Sequence, residues 1–231
     1  MFKSIVITGA SSGIGKKIAD YLSSIEGYKI INISRRKNNN PKIKNILCDI
    51  SNFDDVKKTF KKIKKIDVLI NNSGIARFSK NYIKNFDQII KTNLNGFFYC
   101  SIESLKFLKK QKGSSIINIS SINAHQAFPN NPGYVSSKGA IISLTKALAL
   151  DFGKKNIRVN SISPGYIREG MSLRSFKNLK LRKQRTDRMI IKRWGSASDL
   201  FGAIEYLIEE KSSYVTGQDI VIDGGWLAKG L

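Results

Sequence analysis

The segment TGASSGIG at residues 8–15 decides the fold, because it joins an apolar run to an amphipathic helical pattern. The run IVI at residues 5–7 predicts a buried strand, and the spacing after residue 14 predicts a helix. Glycines in such a turn let the backbone approach a phosphate closely, and the helix N-terminus offers free N–H groups. A plain glycine turn is the alternative interpretation. The residues predicted to bind phosphate are Gly9, Ser11, Ser12, Gly13, Ile14 and Gly15.

Strand-like and helix-like patterns alternate along the rest of the chain. Strands are predicted at residues 4–8, 29–33, 43–48, 67–70, 115–120, 158–162 and 219–222. Helices are predicted at residues 14–25, 54–63, 86–110, 135–151 and 197–209. Such alternation predicts an α/β fold with a doubly wound parallel sheet of about seven strands and helices on both faces. Residues 1–231 are expected to form one domain, with a long insertion at about 166–194.

The chain has the composition of a folded protein, with 41% hydrophobic and 10% aromatic residues, and it carries a net charge of +23. Thirty of its 40 basic residues are lysine, which suggests a compositional bias as readily as a function. Basic surfaces attract nucleic acids, but no zinc-finger spacing or aromatic RNA-binding run accompanies this charge. Specific nucleic-acid binding is therefore not predicted.

Cysteine content and hydropathy bear on the compartment. Only two cysteines, Cys48 and Cys100, are present, so a reduced protein is expected, although one disulfide stays open. No apolar run approaches the length of a membrane span. A cytoplasmic protein is expected, and no metal site is predicted.

Several further motifs follow the predicted strands in a characteristic order. They are NNSG at 71–74, Asn93 within TNL, Ser121, YVSSK at 134–138, PGYI at 164–167, and a closing VTGQ to DGG segment at 215–225. Together with the TGxxxGxG spacing, this set resembles the short-chain dehydrogenases/reductases over almost the whole chain. The resemblance implies a Rossmann-type fold and hydride transfer between a nicotinamide and a carbonyl or alcohol group.

The resemblance also assigns residues to roles. It implies that the catalytic residues are Asn93, Ser121, Tyr134 and Lys138. It implies that the cofactor is held by the glycine-rich turn and by Ser34, Arg35, Arg36, Cys48, Asp49, Ile50, Asn71, Ser73, Gly74, Tyr134, Lys138, Pro164, Gly165 and Ile167.

The spacing of Tyr134 and Lys138 suits acid–base chemistry. A lysine at i+4 lies on the same helix face, so its charge is expected to lower the pKa of the tyrosine toward neutrality. Ser121 is expected to polarise the substrate oxygen, and Asn93 to hold a water that links Lys138 to solvent. Each also has a structural interpretation: a solvated face for the pair, a turn cap for Ser121 and a satisfied buried polar group for Asn93.

The end of the second predicted strand bears on the choice of cofactor. NAD-binding proteins usually carry an acidic residue there, which accepts a hydrogen bond from the ribose 2′-hydroxyl. Ser34 occupies this position and is followed by Arg35 and Arg36, which are suited to bind a phosphate. NADP(H) is therefore predicted in preference to NAD(H), with an exposed basic turn as the alternative.

The insertion at 166–194, here called the lid, holds six of the ten arginines of the chain. Arginine suits carboxylate and phosphate recognition, which predicts an anionic substrate or carrier. An amphipathic helix whose Leu173, Phe176, Leu179 and Ile190 pack inward is an equal alternative. Glu169 stands where the family often has a threonine that bonds the cofactor, so its accommodation is open. His125, the only histidine, is expected in a surface loop rather than on the substrate.

The sequence thus favours a 3-oxoacyl-thioester reductase-like enzyme, with carrier-bound or small carbonyl compounds as substrates. A reductase or dehydrogenase of a sugar, a sugar nucleotide or another small polar carbonyl compound is the alternative. A non-catalytic nucleotide-sensing protein is the alternative of another class. The family resemblance further implies a homotetramer or homodimer, assembled through the helices predicted at 86–110 and 135–151.

Overall fold

The computed structural model describes residues 2–76, 81–108 and 113–229, and its centre is a parallel sheet of seven strands. The strands are β1 (Lys3–Thr8), β2 (Tyr28–Ser34), β3 (Ile43–Leu47), β4 (Val68–Asn71), β5 (Ser115–Ile119), β6 (Arg158–Pro164) and β7 (Asp219–Ile222). Their order in the sheet is β3-β2-β1-β4-β5-β6-β7. The chain winds outward in both directions from β1 and β4, so a crevice opens at the carboxyl ends of these two strands.

Helices cover both faces of the sheet. They are α1 (Gly13–Leu22), α2 (Phe53–Phe60), α3 (Tyr82–Ile90), α4 (Gly96–Leu108), α5 (Pro132–Gly153), α6 (Leu173–Lys177), α7 (Leu179–Arg188) and α8 (Phe201–Ile208). Ile5 and Ile7 of β1 pack in a core with α1 and α8, whereas Val6 packs in a second core with α2, α4 and α5. This alternation follows from the two-residue period of a strand that is buried on both sides. The predicted fold class is confirmed.

The strands were predicted more accurately than the helices. Each observed strand agrees with a predicted one to within two residues at either end. The helix predicted at 86–110 is observed in large part, but it begins at Tyr82 and contains a π-helical turn, Lys91–Asn95, between α3 and α4. Asn93 lies in this turn, and its buried side chain bonds to backbone outside the helix. Residues 109 and 110 of that prediction lie outside the described residues.

The lid, residues 166–194, contains regular structure that the sequence had not defined. A 3-10 turn, Gly170–Ser172, leads into α6 and α7, and Ile167 then pairs with Gly195 in a short parallel bridge. Across the described residues, the longest apolar helical stretch falls short of what a bilayer crossing requires.

Candidate active site

A cavity of about 350 Å³ lies at the carboxyl ends of the strands. Most of the residues that the motifs singled out line it: Gly9, Ser11, Ser12, Gly13, Ile14, Gly15, Ser34, Arg35, Arg36, Cys48, Asp49, Ile50, Ser73, Gly74, Ser121, Tyr134, Lys138, Pro164 and Gly165. Asn71, Asn93 and Ile167 do not line it. The fold therefore gathers residues from six strand ends around one opening.

The glycine-rich turn fits a ligand that must approach the backbone. Gly9 and Gly13 have φ angles of +72° and +58°, a backbone conformation that residues other than glycine rarely adopt. A Cβ on Gly15 would lie 2.2 Å from Nδ2 of Asn72. Ser12 caps α1 in an extended conformation and its side chain makes no capping hydrogen bond, which leaves the first N–H groups of the helix to a ligand. The glycine-rich turn and the start of α1 are thus shaped to bind a phosphate or pyrophosphate.

Asparagines organise the turn that follows β2. Oδ1 of Asn32 accepts from the backbone N of Ala10 at 3.1 Å, and Nδ2 of Asn38 donates to the carbonyl of Ala10 at 2.8 Å. Asn45 bonds to both of these asparagines, at 2.8 Å to Nδ2 of Asn32 and 2.7 Å to the backbone N of Asn38. These asparagines therefore hold the phosphate-binding turn in place. The sequence pattern alone had not indicated this role.

Arg35 and Arg36 are exposed at the rim of the cavity. The Ser34 hydroxyl donates to the carbonyl of Arg36 and so curls the turn. No acidic side chain among residues 2–76, 81–108 and 113–229 forms an ion pair with either arginine. Both guanidinium groups are consequently available to an anion.

Cys48, Asp49 and Ile50 line the same side of the cavity. The Asp49 carboxylate stabilises the turn at residues 49–51, because its Oδ1 accepts hydrogen bonds from N and Oγ of Ser51 at 3.0 and 2.8 Å. Cys48 and Cys100 are free and buried, and burial raises the pKa of both thiols.

The two adjacent asparagines after β4 face different ways. Asn71 is fully buried, and its Nδ2 donates to Oδ1 of Asn118 at 3.0 Å and to Oγ of Ser101 at 3.1 Å. Asn72 lines the cavity instead, and its Nδ2 donates to the carbonyl of Thr8 at 3.0 Å. Asn71 therefore supports the sheet, and Asn72 is the residue that the sequence analysis missed. Adjacent residues at a strand end point to opposite faces, and this alternation could have indicated that only one of the two asparagines lines the cavity.

Helix α5 carries the residues suited to acid–base chemistry. Asn131 caps it by accepting from the backbone N of Tyr134 at 3.3 Å, which sets Tyr134 in the first turn and Lys138 one turn later. The Lys138 Nζ donates to the carbonyl of Ile119 at 2.8 Å and lies 5.6 Å from the centre of the Tyr134 ring. The two side chains face the same end of β5, where Ser121 begins the next turn.

Burial governs how these groups titrate. It lowers the pKa of the Lys138 ammonium to about 7. It also raises the pKa of Tyr134, while a hydrogen bond with Ser121 works in the opposite direction. The pKa of Tyr134 is therefore raised rather than lowered as expected from the sequence, because burial outweighs the hydrogen bond with Ser121. A neutral phenol at working pH is the form that donates a proton.

Ser121 and Asn93 have structural contacts as well as candidate roles. Ser121 caps the 3-10 turn Ile122–Ala124, with its Oγ accepting from the backbone N of Asn123 at 3.2 Å. Asn93 bonds both backbone groups of Ile75, at 2.8 and 3.0 Å, and donates to Oγ of Ser137 at 3.1 Å. Asn93 thereby ties the π-helical turn to α5 beside Lys138.

The segment after β6 explains the unusual acidic residue. Oε2 of Glu169 accepts from the backbone N of Ala197 at 3.1 Å, at the start of the turn that leads into α8. Its charge is thus satisfied by a turn N-terminus rather than by Arg168. Ile167 is buried in the core, and Gly165 is required because a Cβ there would lie 2.6 Å from Cα of Asp223.

His125 does not line the cavity. Its Nε2 lies 2.8 Å from Oδ2 of Asp219, whose carboxylate also accepts from Ser161 and Ser163. The histidine therefore fastens the loop after Ser121 to strands β6 and β7.

Aromatic side chains pack together within the lid and against Trp226. Tyr166 packs against Trp194 and Trp226, with ring centres 5.2 and 4.8 Å apart, and Phe176 packs on Trp194 at 5.3 Å. Leu173, Leu179 and Ile190 are 38%, 68% and 56% exposed, so the inward-packed apolar face holds only for Phe176. Tyr166 and Arg185 line the cavity, and the sequence analysis had not singled out either as a site residue.

Comparison with known proteins agrees with this geometry. The family profile described as "Enoyl-(Acyl carrier protein) reductase", adh_short_C2, matches residues 9–227. The chain belongs to the short-chain dehydrogenase/reductase family. This confirms the resemblance seen in the motifs, and it identifies the protein as an oxidoreductase of that family.

Three similar proteins illustrate the range of the family. The 3-oxoacyl-[acyl-carrier-protein] reductase FabG of Staphylococcus epidermidis is 31% identical, with 97% of this chain and 99% of that protein covered. The 2-dehydro-3-deoxy-D-gluconate 5-dehydrogenase of Dickeya dadantii is 33% identical, with 98% and 96% covered. A solved structure of 4-hydroxyisoleucine dehydrogenase with NADH is 34% identical, with a TM-score of 0.92 over 98% of this chain and 99% of that one. Related structures contain NADP or NADH, so a nicotinamide cofactor is supported.

Proposed function

We propose that the protein is an NADP(H)-dependent reductase that converts a ketone to a secondary alcohol, with 3-oxoacyl thioesters as the favoured substrate class. The observation that carries this proposal is that Ser121, Tyr134 and Lys138 line one cavity with the glycine-rich turn. When bound there, the reduced nicotinamide supplies a hydride to the carbonyl carbon. The similarity to FabG supports the thioester.

The protein's own groups handle the carbonyl oxygen. Ser121 donates a hydrogen bond to that oxygen, and Tyr134 donates its hydroxyl proton as charge develops there. Tyr134, whose pKa burial raises, is protonated near neutral pH and so can donate this proton. Lys138 then stabilises the tyrosinate. Asn93 holds α5 in position through its hydrogen bond to Ser137. As the family resemblance implies, Asn93 also holds the water that returns a proton.

The cofactor is proposed to be NADP(H) rather than NAD(H). Ser34 replaces the usual acid, and Arg35 and Arg36 stand exposed at the rim without a described acidic partner. Two guanidinium groups suit the extra phosphate of NADP(H). The glycine-rich turn, Asp49, Ser73 and Pro164 would hold the rest of the molecule.

A sugar acid or another small anionic carbonyl compound is the second candidate substrate. The observation that favours it is Arg185, which brings a positive charge to the cavity that Ser121, Tyr134 and Lys138 also line. The similarity to the gluconate-type dehydrogenase of Dickeya dadantii supports the same class.

The assembly is proposed to be a homotetramer or homodimer in the cytoplasm. Phe98 on α4 and Leu150 on α5 are 42% and 78% exposed, which is the kind of surface that a second copy would cover. The free thiols of Cys48 and Cys100 suit a reducing compartment. Light scattering at the monomer mass would contradict the assembly.

The proposed reaction is tested by the loss of NADPH absorbance with a panel of compounds. The panel contains acetoacetyl-CoA, crotonyl-CoA, 5-keto-D-gluconate and neutral ketones, with the Tyr134→Phe variant as the blank. Turnover of acetoacetyl-CoA that disappears in the variant supports the thioester reductase. Turnover of the keto-acid alone supports the second candidate. Absence of turnover with every compound would contradict both and favour a nucleotide-sensing protein.

A further inference from the structure

Four of the six lid arginines have ring or ion-pair contacts, and these contacts divide them into two groups. Arg182 stacks on Phe176 and Arg188 on Trp226, with guanidinium carbons 5.2 and 4.6 Å from the ring centres. Arg193 forms a double hydrogen bond with Asp199, at 2.7 and 2.8 Å. Neither Arg182, Arg188 nor Arg193 lines the cavity. Their charges thus serve the packing of the lid.

Arg185 contrasts with these residues because it lines the cavity. Its guanidinium carbon lies 4.6 Å from the ring centre of Tyr166 and 5.9 Å from that of Trp194. Stacking occupies the flat face of a guanidinium and leaves N–H groups on its edge for another acceptor. The aromatic rings therefore hold the side chain in place before any substrate arrives.

The charge of Arg185 is not balanced by a carboxylate. Among the described residues, no acidic side chain forms an ion pair with it. Two acids line the same cavity, but Asp49 bonds to Ser51 and Glu169 to the backbone of Ala197. A partly buried guanidinium without a counter-ion has N–H donors that a bound anion would accept from.

We propose that Arg185 determines substrate specificity by binding a carboxylate or phosphate group of the substrate inside the cavity. Ser172 and Ser175 line the same cavity, and their hydroxyls would add donors for the anion. This inference rests on the proposed function, since it places the anion in the cavity that holds Tyr134. A sugar acid and a phosphate-bearing thioester are the two sources of the same chemistry.

The test measures binding and does not depend on turnover. Trp194 lies near Arg185, so tryptophan fluorescence of the NADP⁺-saturated protein is titrated with D-gluconate and with D-glucitol, its neutral analogue. Coenzyme A and pantetheine form a second anionic and neutral pair. The variants are Arg185→Gln, Arg185→Lys and the matched control Arg188→Gln, which removes the same charge from the same helix outside the cavity.

At least one anion is expected to bind the wild-type protein more tightly than its neutral analogue. Arg185→Gln should weaken that anion roughly 10- to 100-fold, because a charge-assisted paired hydrogen bond is lost. Arg185→Lys should recover part of the affinity, and Arg188→Gln should change it less than about threefold. Preference for gluconate identifies a sugar acid, and preference for coenzyme A identifies a phosphate-bearing carrier.

Three results would overturn the inference: neither anion binds the wild-type protein, Arg185→Gln leaves anion binding unchanged, or Arg188→Gln weakens it equally. The last would mean that general positive charge attracts the anion. Melting temperature and NADP⁺ affinity of each variant check that the fold is retained. Failure of the proposed function looks different, because it appears as absence of Tyr134-dependent NADPH oxidation whatever Arg185 binds.

Discussion

The Nζ atom of Lys138 donates a hydrogen bond to the carbonyl oxygen of Ile119, 2.8 Å away at the end of strand β5. The lysine is 3% exposed, and no carboxylate among the described residues pairs with it. Its ammonium also lies 5.5 Å from the centre of the Phe97 ring and 5.6 Å from that of Tyr134. The arrangement therefore places the Lys138 amine in a nearly water-free position, where its charged form is penalised.

This burial predicts a specific dependence of stability on pH. The pKa of Lys138 is about 7 in the folded protein, against an ordinary value of 10.5. Between these values the unfolded chain binds a proton that the folded chain does not, so the free energy of unfolding rises with pH. Below pH 7 both states bind the proton and the penalty is complete. The total change is about 5 kcal/mol.

The measurement compares wild type with Lys138→Met by chemical denaturation at several pH values. Other groups titrate equally in both proteins, so the difference in free energy of unfolding isolates Lys138. We expect the free energy of unfolding of wild type to rise relative to that of the variant as pH rises from about 7 to 10. A constant difference would show that the ammonium is hydrated in the folded protein.

Removal of the Tyr134 hydroxyl should abolish the proton transfer and leave the cofactor site intact. We expect Tyr134→Phe to lower kcat about 10²- to 10⁴-fold, the usual contribution of a general acid. The affinity for NADPH, measured by fluorescence titration, should change little. Tyr214→Phe is the control, because Tyr214 is fully exposed and should keep full activity. Equal loss in both variants would mean that Tyr134 acts through stability.

The two arginines after β2 should set the cofactor preference. We expect Arg35→Ala together with Arg36→Ala to raise KM for NADPH about 10- to 100-fold, because two charge-assisted contacts with a phosphate are lost. KM for NADH should stay within about threefold, since NADH lacks that phosphate. Lys37→Ala, an exposed cation in the same turn, is the control for general charge. An equal loss with NADPH and NADH would contradict the assignment.

The glycine-rich turn should tolerate no side chain at Gly15. A Cβ there would lie 2.2 Å from Nδ2 of Asn72 and 2.6 Å from the carbonyl oxygen of Gly9, and Asn72 is held by its bonds to Thr8 and Gly9. We expect Gly15→Ala to destabilise the fold by about 1–3 kcal/mol and to weaken NADPH binding more than tenfold. Thermal unfolding and fluorescence titration measure the two effects.

Gly202 provides the matched control for that substitution. It is exposed within α8, and a Cβ built on it meets nothing within 4 Å. Gly202→Ala should therefore stabilise the protein by about 0.5–1 kcal/mol through helix propensity, with NADPH binding unchanged. Destabilisation at Gly202 would show that a hidden contact covers this face.

Much of the fold could be predicted because its signals are local. The seven strands are short apolar runs bounded by turn residues, and their limits agree with prediction to within two residues. The π-helical turn was harder to predict, because the bonds that Asn93 makes from it, to Ile75 and Ser137, join residues that are distant in sequence. A periodic pattern does not record such a bond.

The chain's sequence by itself determined the strand–turn–helix at residues 8–15, the order of the motifs and the choice of Tyr134 and Lys138, because spacing along a chain is a local property. Tertiary structure alone decided that burial raises the pKa of Tyr134. It also decided which lid arginine faces the cavity. Arg185 lies at the cavity because long-range contacts place its helix: Tyr166, Trp194 and Trp226 pack together from separate parts of the chain, and Nε1 of Trp194 donates to the carbonyl of Arg182.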